Sequence, residues 1–415
     1  MRRIGILKLK KNYHWVLFLI IITGIAIIIR SIPAWIHAAW GCDFGIYFGI
    51  TKTIAETKVL FPPYTGWGSS YNEFPVLYLI NAFAHWLTGL DVIIIMPKLT
   101  PIFGGLSVLV FYFIVNELTE NKKIAILSSL FFAVMPFHVY QTSHASPLTL
   151  GHFFIMLSLY FFIKFRKKTI YLIPLLISTV LLIMSHHLST YFYLITIIGI
   201  IFIENVCSKN KTSTYKKDIL YSYVLTGLTF TYWALVAKTV YYNFMVSGFS
   251  FFGVRIESVF IIILFFILLT LLFTYGIKVM KRINKLIKSK KENTNSNIRT
   301  NLILPFWKLN PFIKRKWPSK KSRLKLFSLV IIIILGTLIY FSTTELFWVG
   351  FSLSFLSIFY ALPLIISIAF AVAGFRFTWF IKNGLFIRGW IISIALSFLF
   401  MLIIDSKTIF PHRHL

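Results

Sequence analysis

The chain is poor in what a water-facing surface is made of. Only 13% of its 415 residues are charged, acids number 12, and 58% are hydrophobic. A soluble domain of this length could not clothe its core with so few charges, which excludes soluble fold classes. Cysteine is nearly absent. Cys42 and Cys207 are the two in the chain, and the topology below sets them on opposite sides of a membrane, so no disulfide is expected. No internal repeat of fixed period and no pair of matching interrupted helices occurs, which argues against a secondary transporter. What recurs instead is apolar runs of about 17 to 25 residues, the length that crosses roughly 30 Å of hydrocarbon. The expectation is an all-α polytopic membrane protein with one membrane domain.

A net charge of +30 would point a soluble protein toward nucleic acid. Here the Lys and Arg sit between apolar runs, where they read as topology, and no stacking or groove-binding motif accompanies them. The largest block, Lys278 to Lys325, carries sixteen Lys/Arg and one acid, Glu292. It reads as a cytoplasmic loop facing anionic lipid headgroups, with no nucleic-acid partner. The basic start, Met1-Arg2-Arg3 through Lys11, precedes an apolar run too long for a signal-peptide core, so it reads as a retained first span with a cytoplasmic N-terminus in a multi-pass cell-membrane protein.

With the basic loops inside, the spans expected are Trp15–Ile32, Leu99–Leu118, Ile124–Phe137, Leu148–Ile163, Ile170–Met184, Leu188–Ile203, Ile219–Tyr241, Val259–Met280, Leu326–Phe341, Phe355–Phe380 and Ile387–Ile404. Phe74–Leu90 opens with Pro75 and contains Asn81 and His85, so it reads as a helix lying along the outer surface. Three regions follow: 1–277, with a first outer loop over 31–98; the basic loop 278–325; and a C-terminal membrane segment 326–415.

Because acids are scarce, each can be weighed. Glu117, Glu120, Glu204, Asp218 and Glu292 fall at cytoplasmic edges beside Lys or Arg, where solvated pairing explains them. Seven others fall on the outer side. Among these Asp43 lies between glycines in Gly41-Cys42-Asp43-Phe44-Gly45, where a substrate could approach closely and a carboxylate could accept a proton; a helix-cap Asp is the equal alternative. Glu73 precedes the surface helix and reads first as a cap or loop organiser. Ser143, His144 and His152 lie around the second outer loop, and His187 in another outer turn. With His138 and His186 they place five histidines near one surface, in no recognised ligand spacing. No metal or other cofactor is expected, although a divalent ion was weighed. Glu345 closes Ser342-Thr343-Thr344-Glu345; Arg413 stands in an outer Pro-His-Arg-His segment suited to a phosphate; Arg376 and Lys238 are charges within apolar runs.

Together these features resemble the GT-C superfamily of membrane glycosyltransferases: a first span, an outer loop opening with an Asp and containing surface helices, two further spans, then a second outer loop from Pro136 to Ser146. Ser342 to Glu345 is similar to an outer-loop motif of the oligosaccharyltransferase catalytic subunit, and Arg413 to its lipid-phosphate-binding Arg. The acidic pair that this relative uses for metal is missing from the second outer loop, and so is its Trp-Trp-Asp motif. The chain also stops directly after its last outer loop, where relatives continue, which suggests a truncated or short relative.

The resemblance implies a GT-C-like bundle of about 11 to 13 transmembrane helices and an inverting transfer of sugar from a polyprenyl-phosphate donor to a lipid, glycan or protein. Asp43 would be catalytic. Glu73, Ser143, His144, His152, His187, Glu345, Arg376 and Arg413 would bind substrate. The alternatives are a lipid or polyprenyl-glycan flippase using Lys238 and Arg376, and an inactive scaffold in glycan assembly.

Overall fold

The computed structural model describes residues 2–41, 43–66, 68, 70–207, 214–242, 258–293, 374–375, 377–381 and 383–403. Among these the chain is helical, with no strand. Five helices are long and apolar enough to cross a membrane, or six if one bent pair is a single span. The protein is an all-α, multi-pass membrane protein.

The first long helix, α1 (Arg2–Ile36), carries the apolar stretch His14–Ile36. At 1.5 Å per residue that stretch is about 35 Å long, enough to cross. Two short helices follow, α2 (Phe44–Thr57) and α3 (Val76–Thr88). At about 20 Å each they cannot cross. Left-handed residues end both: Lys58 at φ 60° and Gly89 at φ 69°. The helix anticipated along the outer surface, α3, packs one face inward, with Leu77, Tyr78, Asn81 and Ala82 fully buried, and leaves Phe83, Trp86 and Leu87 exposed on the other. Its apolar face and that of α2 (Phe44, Tyr47, Ile50, Ile54) join the main core.

Asp91 caps the next helix, α4 (Val92–Thr119), by accepting from the Ile93 N–H at 3.1 Å. The span therefore begins seven residues before the expected Leu99. Pro97 and Pro101 lie inside it, as a membrane helix tolerates where neighbours satisfy the freed carbonyls. Glu120 at φ 54° closes α4, and Asn121 at once caps α5 (Lys122–Val134) through the N–H groups of Lys123 and Ile124. The span expected over Ile124–Phe137 is broken: α5 and α6 (Pro136–Thr142) meet at 63°. Pro136 has no N–H to give to the preceding turn, so the helix cannot continue straight.

Next come α7 (Pro147–Lys167), α8 (Leu172–Ser185), α9 (His187–Cys207), α10 (Tyr215–Leu235) and the single turn α11 (Lys238–Tyr241). Helix α12 (Ser258–Leu271) runs through a π turn into α13 (Ile277–Asn293), and α14 (Gly384–Ile403) packs along α9. Glycines set the closest crossings. A Cβ on Gly105 would lie 2.7 Å from Ile27 Cα, and one on Gly389 3.0 Å from Ile200 Cα, so α4 meets α1 and α14 meets α9 backbone to backbone.

The basic loops gather at one end of the bundle. Glu117 at the end of α4 bonds Lys164 at 2.9 Å and Lys167 at 2.5 Å, both at the end of α7. Arg166 reaches Glu204 of α9 at 2.6 Å and Asp218 of α10 at 3.2 Å. Solvated pairing does not describe this second group, because the Asp218 side chain is 0% exposed and those of Arg166 and Glu204 are 16% and 11%. It is a buried ion cluster tying three helices, completed by Thr214, which accepts from Arg166 and donates to Asp218 at 2.7 Å. Breaking such a cluster on one side costs far more than the intact cluster contributes.

Candidate functional site

The other end of the bundle carries Asp43. It precedes α2 in the cap position, but its side chain makes no capping bond. Its Oδ2 accepts from two phenols instead, Tyr71 at 2.9 Å and Tyr47 at 3.2 Å. Tyr47 lies one helical turn on, so the i, i+4 spacing alone brings it to Asp43. Tyr71 arrives on the 3₁₀ turn Tyr71–Glu73, held from behind by Tyr78, whose hydroxyl donates to the Tyr71 carbonyl at 3.0 Å. The rings of Tyr47 and Tyr71 pack edge to face at 5.1 Å. Burial, then Tyr71, then Asp43 push the Tyr47 phenol far above its usual range, so it stays a donor at any physiological pH.

The loop between α6 and α7 closes against the same segment. Trp40 Nε1 donates to Ser143 Oγ at 3.1 Å, and the Trp40 ring meets that of His144 at 5.4 Å. Gly41, at φ 109°, lets the backbone turn just before Asp43, and a Cβ there would stand 3.4 Å from His144 Cγ. Tyr140 flanks His144 at 4.7 Å. Burial holds the half-buried His144 below the usual histidine range, so it is neutral at pH 7. Through Trp40 and Gly41, the segment that leads into Asp43 thus touches Ser143 and His144, about 100 residues away in sequence.

Glu73 occupies the far end of the 3₁₀ turn and organises the loop. Its Oε1 accepts from the Thr239 N–H at 3.1 Å and its carbonyl from the Tyr232 hydroxyl, while Oε2 is buried without a partner. Burial raises its pKa against the opposing bonds from Thr239 and Val240. Phe74, next to it, touches the ring of His187 at 5.4 Å. His152 lies apart, on α7, its ring stacked on His138 at 5.4 Å. Glu345, Arg376 and Arg413 fall outside the described residues, as do Cys42 and the spans expected over Leu326–Phe341 and nearly all of Phe355–Phe380. Lys238 is exposed at the break between α10 and α11. Among the described residues no three of His, Cys, Asp and Glu converge as metal ligands.

Four residues central to this end were not singled out from sequence: Arg30, Trp40, Tyr47 and Tyr71. Arg30 is the most consequential. It lies within the first span and is 0% exposed. Its guanidinium donates to Thr142 Oγ1 at 2.8 Å, to the carbonyls of Ala26 and Ala133 at 3.0 and 2.9 Å, and to His138 Nδ1 at 2.7 Å. Because an arginine can only donate, His138 Nδ1 is the acceptor, and the neutral ring carries its proton on Nε2. Ala133 is among the last residues of α5, so Arg30 caps a carbonyl freed by the bend and fixes α6, from which the Ser143–His144 loop leaves.

Fold and geometry define a polytopic membrane protein with a tyrosine-held carboxylate where the loop after α1 meets the loop after α6. No protein-family model and no curated protein matches the sequence. Among solved structures, the chain is similar to the crystal structure of the Archaeoglobus fulgidus oligosaccharyltransferase in the apo form, at 16% identity and a TM-score of 0.44. The match covers 94% of this chain and 51% of that one, so the chain spans about half the length of that protein.

Proposed function

We propose that the chain is a membrane glycosyltransferase that moves a sugar from a polyprenyl-phosphate donor to a hydroxyl or amide acceptor, with inversion at the anomeric carbon. The observation that carries this reading is the state of Asp43. Its carboxylate is not spent on a helix cap; two phenols hold one oxygen and orient the other. A carboxylate so fixed can take the proton of an acceptor as that acceptor attacks the anomeric carbon from the face opposite the phosphate. Phosphate leaves with the bonding electron pair, and cations would stabilise it; Arg413 and Arg376 are the residues the sequence offers for that role. Ser143 and His144, against Trp40 and Gly41, form the neighbouring wall for an acceptor. Glu73 and His187 shape the far side of the loop. The chemistry as written uses no metal.

The test is transfer itself. Purified full-length protein in proteoliposomes, supplied with a polyprenyl-phosphate hexose and a panel of lipid, glycan and peptide acceptors, is expected to release polyprenyl phosphate and give a product of inverted anomeric configuration by NMR. Movement of the lipid between leaflets with no bond cleavage would contradict the enzyme and support the flippase reading.

A further inference from the structure

The C-terminal half of α1 presents an open apolar face. Ile27, Ile28, Ser31, Ile32, Trp35 and Ile36 line a hollow of about 500 Å³, almost wholly apolar. Among the described residues nothing covers it: Trp35 is 71% exposed, Ile36 68% and Ile28 61%. At the rim stands one charge. Lys98, from the second turn of α4, holds its ammonium 4.3 Å from the centre of the Trp35 ring. Among the described residues no carboxylate lies within ion-pair distance of it.

A cation–π contact satisfies little of an ammonium's charge, and Lys98 makes that contact with no carboxylate beside it among the described residues. It is therefore open to a counter-charge from outside the chain. The bilayer supplies one in the right place: an acyl chain fills the hollow while its headgroup reaches the rim. We propose that this face of α1 is a binding site for an anionic phospholipid of the leaflet on the Asp43 side, one acyl chain lying along Ile27 to Ile36 and the headgroup phosphate paired with Lys98. The proposal is independent of how Asp43 is read. It bears on that site all the same, since α1 runs from this hollow into Trp40, Gly41 and Asp43, and an occupied hollow steadies that end.

The test uses full-length protein in nanodiscs doped with phosphatidylglycerol or phosphatidylcholine carrying a diazirine in one acyl chain, with labelled peptides mapped by mass spectrometry. Mapping separates this site from the basic loops. The anionic probe is expected to label residues 27–36 about fivefold more than the zwitterionic one, the preference one basic residue confers near a membrane surface. Lys98→Met should abolish the difference and Lys98→Arg keep it, with both variants melting as the wild type does. Equal labelling by the two probes, or a preference that survives in Lys98→Met, would overturn the proposal. So would labelling displaced by catalytic amounts of polyprenyl phosphate, which would make the occupant a different lipid.

Discussion

Arg30 shows how much one side chain can organise. Four acceptors from three helices converge on its guanidinium. Lysine has the charge but not the planar fork, so it can satisfy only part of the set. Arg30→Met should cost at least about 2 kcal/mol, because it strands buried acceptors, and Arg30→Lys should recover only a fraction; thermal unfolding in detergent reads both. A melting temperature unchanged in Arg30→Met would mean that the cluster contributes nothing to the fold. In sequence Arg30 sits inside the run Trp15–Ile32, two residues from its end, where it is easily passed over as an interfacial cation. Asp43 was legible from its flanking glycines; Tyr47 was missed, although its i, i+4 spacing from Asp43 is the signal that could have found it. Tyr71, 28 residues from Asp43, and Ser143, 103 from Trp40, were not legible as partners, since only tertiary packing brings them together.

At the level of elements, the composition was sufficient to find helices, and the misjudged ones are those where one residue decides. Asp91 starts α4 early through its cap, and Pro136 bends the α5–α6 span. Helix α3 was legible as too short and too polar to cross, and its buried face, Leu77, Tyr78, Asn81 and Ala82, includes the Asn81 that marked it. Glu73 latches the 3₁₀ turn to α11 and gives the pH dependence a sign. Folding raises its pKa by burial, so the ionised form is penalised in the folded state. That penalty is absent below the unfolded pKa of about 4.3 and grows as pH rises through the folded value. Glu73→Gln keeps an oxygen for the Thr239 N–H and has no charge to bury. It should melt at or above the wild type at pH 8, with the gap closing as the pH approaches about 4. A variant less stable at every pH would show that the charge is needed.

For the whole molecule, the charge pattern anticipated the arrangement. Ion pairs at Glu117, Lys164, Arg166 and Asp218 gather the basic loops at one end, and the Asp43, His144 and Glu73 segments meet at the other. By the positive-inside rule the Asp43 end is expected outside. With both native cysteines replaced by serine, single cysteines at Lys58 and Tyr140 should react with an impermeant maleimide applied to intact cells, and those at Lys168 and Lys217 only after permeabilisation. Labelling in the reverse sense would invert the topology and remove the site from the face where a lipid-linked sugar donor is expected.

The proposed transfer requires the Asp43 carboxylate to act in the chemical step. The most direct measurement is the single-turnover transfer rate of Asp43→Asn in proteoliposomes, taken together with donor binding. An amide keeps the shape and can still accept from Tyr47 and Tyr71, but it cannot take a proton. Binding should stay within about twofold while the rate falls by at least about 100-fold, the lower range for loss of a general base. Transfer at the wild-type rate would contradict the account.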